Sequence, residues 1–520
     1  MNEQVAAAFQ LLPGYLSQHV LLSASALAIA LLVSLPLAFA VASRPRARTI
    51  ALSTARIVQT IPGLALIALF YPFLLLLSSM TIRFFGFPIP SLGFLPALLA
   101  LVTFAILPIL QGGVLGLTSI DADVLEAADA VGMTRRQRLR LVEIPLAAPI
   151  VMAGVRTAAV WTIGAATLAT PVGQTSLGNY IFSGLQTENW VFVILGCVAA
   201  AFLALAVDAS LSLVERGLQK REARRAMVGV ALLAIGLVIS LAAAPARTRS
   251  YVVGAKNFSE QFILAELIGG SLRANGLPVT LRTGLGSAVI FRALAAGDLD
   301  VYVDYSGTLW ANVMNRSDSV PRAEMLSQIT SWMRERGDVE VLGPLGFENA
   351  YGLVMRKEKA EKHGVKTIQD LAAHAPSFTF GADLEFLARP EWRKVRDTYN
   401  LSFRESRTFD PTLMYRALQS GDVDVISGFS SDGRIAALDL VVLEDPAGAL
   451  PNYDALLLVS NGRAGDARFQ SALRPLIDSI DIAAMRAANH MVDREADKML
   501  PEQAAKVLRE ERLSTKAPAQ

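Results

Sequence analysis

Apolar residues fall into two regimes along the chain. Up to about residue 244 they come in long runs, and beyond it they alternate with polar residues at the short periods of a globular domain. The runs predict six membrane-spanning helices at 21–43, 55–79, 93–117, 146–170, 190–214 and 227–244, each long enough to cross ~30 Å of hydrocarbon. After residue 250, short Val-rich segments separated by amphipathic stretches predict strands and helices of an α/β domain. The expected organisation is an all-α polytopic membrane domain over 1–225, a sixth helix and linker over 226–249, and a soluble domain over 250–520.

With 520 residues, 53% hydrophobic content and a mean hydropathy of +0.42, the chain is too long and too apolar for one soluble domain. Arginines orient the spans. Arg44, Arg46, Arg48 and Arg56 mark the first loop as cytoplasmic, Arg135 to Arg140 the third, and Arg216, Lys220, Arg221, Arg224 and Arg225 the fifth. Single crossings then put the N-terminus and everything after Ala244 outside, on the periplasmic or outer face of a bacterial inner membrane. Met1 to His19 lacks the basic start and cleavage site of a signal peptide, so the first span is expected to stay.

Pro62, Gly63 and Pro108 are candidates for helix breaks along a translocation path, or for packing kinks, and 171–190 is a candidate outer gate. A net charge of +2 gives no reason to expect nucleic acid, and the single Cys197 leaves no internal disulfide. Four scattered histidines suggest no metal cluster. The chain lacks a Gly-x-x-x-x-Gly-Lys-[Ser/Thr] phosphate loop, a Gly-x-Ser-x-Gly elbow and a carboxylate dyad, so it is not expected to be an enzyme or to hold a cofactor.

One polar island interrupts the membrane half. Residues 121–145 carry a dense mixture of charges, whereas Glu3 is the only acidic residue before them. A charge in hydrocarbon costs a few kcal/mol, so the island belongs in water beside the bilayer.

In the soluble half one phrase occurs twice. Arg292-Ala-Leu-Ala-Ala-Gly297-Asp298-Leu-Asp300-Val301 returns as Arg416-Ala-Leu-Gln-Ser-Gly421-Asp422-Val-Asp424-Val425, an offset of 124 residues (292 to 416). Each copy reads as a helix closed by Gly and then a strand, and four residues past each valine comes an aromatic before serine: Tyr305-Ser306 and Phe429-Ser430. A looser echo leads from Val341-Leu342 to Asn349-Ala-Tyr351, and from Val442-Leu443 to Asn452-Tyr453.

A repeat of this length predicts two similar lobes. Ligands of open α/β sheets bind at strand carboxyl ends, so Tyr305 and Phe429 are expected to face one cleft, with Tyr351 and Tyr453 near the crossings between lobes. Four rings suit a quaternary ammonium, which is drawn to ring faces by about 0.5–2 kcal/mol per contact. The same rings also suit packing at strand ends.

Two resemblances follow from these residues. Glu126-Ala127-Ala128, Gly132 and the Val142-Glu-Ile144-Pro145 ending resemble the coupling loop of ABC importer permeases, with Val142 and Ile144 where that family has isoleucine and leucine. The resemblance implies a short cytoplasmic helix docked on a separate ATPase subunit. Lys256-Asn257-Phe258-Ser259-Glu260-Gln261, Asp300-Val-Tyr302-Val-Asp304-Tyr305-Ser-Gly-Thr308 and Ser431-Asp432-Gly433-Arg434-Ile435 resemble the osmoprotectant-binding proteins of glycine betaine, choline and carnitine importers.

That second resemblance implies a bilobed periplasmic-binding-protein fold. It places Tyr305, Tyr351, Phe429 and Tyr453 in the aromatic cage, Lys256, Thr308 and Arg389 on a ligand carboxylate, Asn349 on the cage lining, and Gln261 in the first-strand motif. Phe429 stands where the family commonly has tyrosine, which keeps a ring face and loses a hydroxyl. Related proteins also take ergothioneine, which has the same trimethylammonium and carboxylate.

The whole chain thus reads as an ABC importer permease fused to its binding protein, taking up a small quaternary-ammonium compound. It implies a homodimer, two ATPase copies that use the ATP, and contact with membrane lipid. The alternatives are an ergothioneine importer of the same architecture and a membrane-anchored ligand sensor.

Overall fold

A computed structural model of the chain describes residues 3–86, 89–187, 189–243, 250–316, 318, 320–494 and 497–513. The chain divides into two compact units, residues 1–184 with 190–246, and residues 185–189 with 247–520. The expected linker positions 244–249 and the tail 514–520 lie outside the described residues.

The first unit is helical: α1 (Glu3–Ala42), α2 (Pro45–Gln59), α3 (Gly63–Phe85), α4 (Phe94–Thr118), α5 (Ala122–Ala130), α6 (Arg135–Arg138), α7 (Ile144–Ala166), α8 (Gly178–Gln186), α9 (Trp190–Lys220) and α10 (Ala223–Ala242). Among the described residues, six helical segments are long and apolar enough to cross a membrane: 4–42, 63–85, 94–118, 135–172, 190–220 and 223–242. Several differ in extent from the spans expected from hydropathy, the fourth by starting at residue 135 rather than 146.

The first helix begins at Glu3 rather than residue 21 and runs for 40 residues, about 60 Å at 1.5 Å per residue. The second expected span starts too early. Residues 55–59 close α2, an arginine-bearing helix with no buried residue, and the chain turns at Thr60 before α3 starts at Gly63. Proline disfavours helical backbone in the residue before it, so Pro62 separates two helices instead of kinking one. Pro108 lies buried inside an unbroken α4.

Small residues hold α4 against α7. A Cβ on Gly154 would come within 2.5 Å of the Pro108 carbonyl oxygen, and one on Gly112 within 3.1 Å of Gly154 Cα. Membrane helices associate through close backbone approach of this kind. A second link is ionic and was not anticipated from the apolar runs. Arg156 on α7 donates to both carboxylate oxygens of Asp208 at 2.9 Å and to Glu215 at 2.6 Å, both on α9. A charge at mid-membrane costs about 2.5–3.5 kcal/mol, and pairing offsets that cost while fixing one helix to the other.

The second unit contains two five-stranded sheets. Its strands are β1 (Tyr251–Lys256), β2 (Val279–Leu285), β3 (Val301–Tyr305), β4 (Val339–Glu348), β5 (Tyr351–Arg356), β6 (Thr379–Ala382), β7 (Glu405–Thr408), β8 (Val425–Phe429), β9 (Leu440–Val442) and β10 (Asp454–Ser460). The sheet orders are β2-β1-β3-β10-β4 and β7-β6-β8-β5-β9. In each, three parallel strands are followed by two that pair antiparallel.

The wiring is therefore the same twice, and the repeated phrase explains it: β3 and β8 are the third strands of their sheets. Both are almost wholly buried, as expected where helices cover both faces of a parallel sheet. The chain passes from one sheet to the other at 349–350 and returns at 443–453.

Candidate functional site

The strand ends decide which side chains meet. Tyr305 closes β3 and Phe429 closes β8. Antiparallel pairing sets Tyr351, the first residue of β5, opposite Phe429, and Ala455 opposite Tyr305, which leaves Tyr453 at that same end of β10.

The rings converge accordingly. Tyr351 lies 4.8 Å from Phe429 and 5.4 Å from Tyr453, which meets it edge-on at 78°. Tyr305 joins through Phe258, whose ring is 6.2 Å from both Tyr305 and Phe429 and within 3° of parallel to Phe429. Phe258 belongs to the first-strand motif, and the resemblance gives it no role. Its position in the turn between β1 and α11 (Ser259–Ala274), at a strand carboxyl end, is the signal that identifies it.

Two of the tyrosine hydroxyls are held by carboxylates. Tyr305 donates to Glu260 at 2.6 Å, and Tyr453 donates to Glu391 at 2.7 Å. Burial lifts both phenols well above their ordinary value, so both stay protonated donors. Gly307 makes room for Tyr453, since a Cβ there would lie 2.6 Å from the ring.

Glu260 gathers the crossings. It accepts from Tyr305 and Asn349 on one oxygen, and from Ser431 at 2.5 Å and Asn489 at 2.9 Å on the other. Burial pushes its carboxyl up, against four hydrogen bonds that favour the anion. Sequence reading passed over it because an acidic residue in the first turn of a helix is ordinary.

The cations expected on a ligand carboxylate are already paired. Lys256 Nζ lies 2.5 Å from Asp304, both buried, and 5.4 Å from the Tyr305 ring centre. Arg389 lies over the Tyr351 ring at 5.1 Å and donates to Glu391 at 3.3 Å. Thr308 is buried in the single turn Ser306–Thr308 after β3. Gln261 donates to the Val303 carbonyl and to the Tyr305 hydroxyl, both at 3.0 Å, bracing β3. Asn349 donates its amide to Glu260 and its backbone N–H to the Tyr453 carbonyl.

Two cavities flank the rings. One, of about 230 Å³, is lined by Gly307, Trp310, Pro390, Glu391, Ala449 and Pro451 among others. The other, of about 40 Å³, is lined by Phe258, Glu260, Asn349, Phe429, Ser431 and Asn489 among others.

Beside the smaller cavity Asp493 accepts from Ser259 at 2.6 Å. Burial, with Asp432 nearby and against the pull of Arg434, pushes its carboxyl up to about 6. The folded state therefore keeps a proton that the unfolded chain gives up near pH 4, and stability falls as pH rises from about 4 to about 6. Asp493→Asn is expected to match the parent below pH 4 and to gain up to ~3 kcal/mol above pH 6. Melting temperatures of the full-length protein across that range check this; a gain independent of pH would contradict it.

In the first unit, residues 121–145 form a helix–turn–helix. Asp121 caps α5 by accepting from the Asp123 N–H, and Thr134 and Gln137 form a reciprocal cap on α6. Gly132 bends the chain between them with φ +79°, a conformation open to glycine at little cost. Arg138 ties the turn down, pairing with Asp129 at 2.6 Å and Glu143 at 2.9 Å. Glu126 and Ala127 are exposed, Ala128 is buried beneath them, and Pro145 is exposed in the first turn of α7. Val124, Val131 and Leu141 are exposed as well.

Comparison with known proteins falls into two segments. Residues 30–223 match the family described as binding-protein-dependent transport system inner membrane component, and residues 249–510 match the substrate binding domain of ABC-type glycine betaine transport system. The ergothioneine transport permease/ergothioneine binding protein EgtU of Helicobacter pylori is 30% identical over 436 residues, 80% of this chain and 75% of the relative. The choline transport system permease protein OpuBB of Bacillus subtilis is 35% identical over 201 residues, 39% of this chain and 85% of the relative. The glycine-betaine-binding protein of Pseudomonas aeruginosa is 31% identical over 267 residues, 49% of this chain and 86% of the relative.

Proposed function

Because the chain belongs to the ABC importer membrane proteins in which a permease is fused to a glycine-betaine-type binding domain, we propose that it takes up a small trimethylammonium compound. The observation that carries this reading is the group of five rings, Phe258, Tyr305, Tyr351, Phe429 and Tyr453, at the strand ends of two identically wired sheets. A quaternary ammonium donates no hydrogen bond and is held by ring faces.

The soluble domain lies on the outer face of a bacterial cytoplasmic membrane, as the arginine-rich loops argue. Tethering keeps it at roughly millimolar effective concentration near the permease. Two copies of the chain enclose the path, and residues 121–145 of each dock a separate ATPase subunit that uses the ATP. The chain itself binds no cofactor.

A second reading, ergothioneine as the ligand, is favoured by a relative of that name matching 80% of the chain. Calorimetry of the full-length protein with glycine betaine, choline, carnitine, proline betaine and ergothioneine tests both; binding of none would overturn the reading. Arg389→Ala is expected to weaken the carboxylate-bearing ligands by about ten- to a hundredfold while affecting choline far less, because the positive charge that offsets Glu391 is lost. Equal losses for choline and glycine betaine would remove Arg389 from that role.

A further inference from the structure

The two cations beside the rings are both paired within the protein. Lys256 is paired with Asp304, and Arg389 with Glu391. Neither cation therefore offers an unopposed charge to a ligand carboxylate.

Glu391 is the uneven member of these pairs. It is 95% buried, 5% of its surface remaining exposed, in the first turn of the helix Pro390–Tyr399. Its Oε1 accepts from Tyr453 and from Arg389, while among the described residues its Oε2 has no hydrogen-bond partner. A buried carboxylate oxygen without a donor is costly, and native structures rarely keep one without a purpose. Glu391 also lines the cavity of about 230 Å³, together with Gly307 and Trp310. Through Tyr453, whose hydroxyl it accepts and whose ring meets Tyr351, Glu391 is joined to the aromatic group.

Resting on the trimethylammonium reading above, we propose that Glu391 Oε2 accepts an O–H or N–H from the ligand and selects its class. Favoured compounds carry a trimethylammonium group for the rings and a hydrogen-bond donor for Glu391, as the choline hydroxyl or the ring N–H of ergothioneine does. Glycine betaine has a carboxylate, as ergothioneine does, but no donor with which to offset the like charge of Glu391. Rejection by an unpaired acceptor and a like charge is an effective source of specificity.

The test is competition calorimetry on full-length parent and Glu391→Gln protein with choline, ergothioneine and glycine betaine. Glutamine keeps the shape and removes the charge that strengthens the bond. The parent is expected to bind choline or ergothioneine more tightly than glycine betaine, and the substitution to narrow that preference about tenfold or more. A general loss of folding would weaken all three ligands alike, so the ratio separates selection from support. A parent that prefers glycine betaine, or an unchanged ratio in the variant, overturns the role of Glu391 and leaves the trimethylammonium reading standing. A parent that binds none of the three overturns both.

Discussion

Gly132→Val is expected to abolish ATP-driven uptake while ligand binding by the full-length protein stays at the parent level. Gly132 holds φ +79° at the bend between α5 and α6, and nothing lies within 4 Å of where a Cβ would stand. The effect is thus one of backbone conformation and not of collision. Left-handed backbone costs an ordinary L-residue about 1–2 kcal/mol, and a β-branched residue tolerates it worst. The strained turn would swing the exposed face of Val124, Glu126 and Ala127 away from the end of α7, where Pro145 sits. Asparagine enters the left-handed region readily, so Gly132→Asn should keep much of the uptake. Uptake and calorimetry on the same preparations check both; normal uptake by the valine variant at parent abundance would remove the turn from coupling.

The second large effect is expected at the rings. Tyr351→Leu removes the ring that touches Phe429, Tyr453 and the Arg389 guanidinium, while keeping most of the apolar area. Loss of a ring quadrupole facing a cation should weaken a trimethylammonium ligand by about 1–2 kcal/mol, or roughly five- to thirtyfold. Phe258→Leu should cost a similar amount, because that ring stacks on both Tyr305 and Phe429. Phe429→Tyr returns the residue common in the resembling family and should be tolerated. Parent-level affinity in both leucine variants would mean that these rings are packing only.

Much of the architecture is legible in the sequence because it rests on repetition and long periods. The change from apolar runs to short alternation marks the two halves, and the doubled Arg-Ala-Leu phrase marks two sheets with Tyr305 and Phe429 on equivalent strands. Helix ends were less legible. The extent of α1 and the break before α3 depend on how a proline and a turn divide a continuous apolar stretch, which hydropathy averages away.

The polar partners were hidden for another reason. Glu260 collects donors from residues 305, 349, 431 and 489, and Glu391 meets Tyr453 across 62 positions. Local patterns carry no trace of contacts so distant in sequence. Arg156 was missed in the same way, since its partners Asp208 and Glu215 lie on another helix.

Positive charge, and not shape, is what the rings are expected to hold. The direct measurement is calorimetry of the full-length protein with its tightest trimethylammonium ligand and with the isostere in which carbon replaces the quaternary nitrogen. The cation is expected to bind about tenfold tighter or more, and this advantage to shrink in Tyr351→Leu. Equal affinities for the two compounds would contradict it.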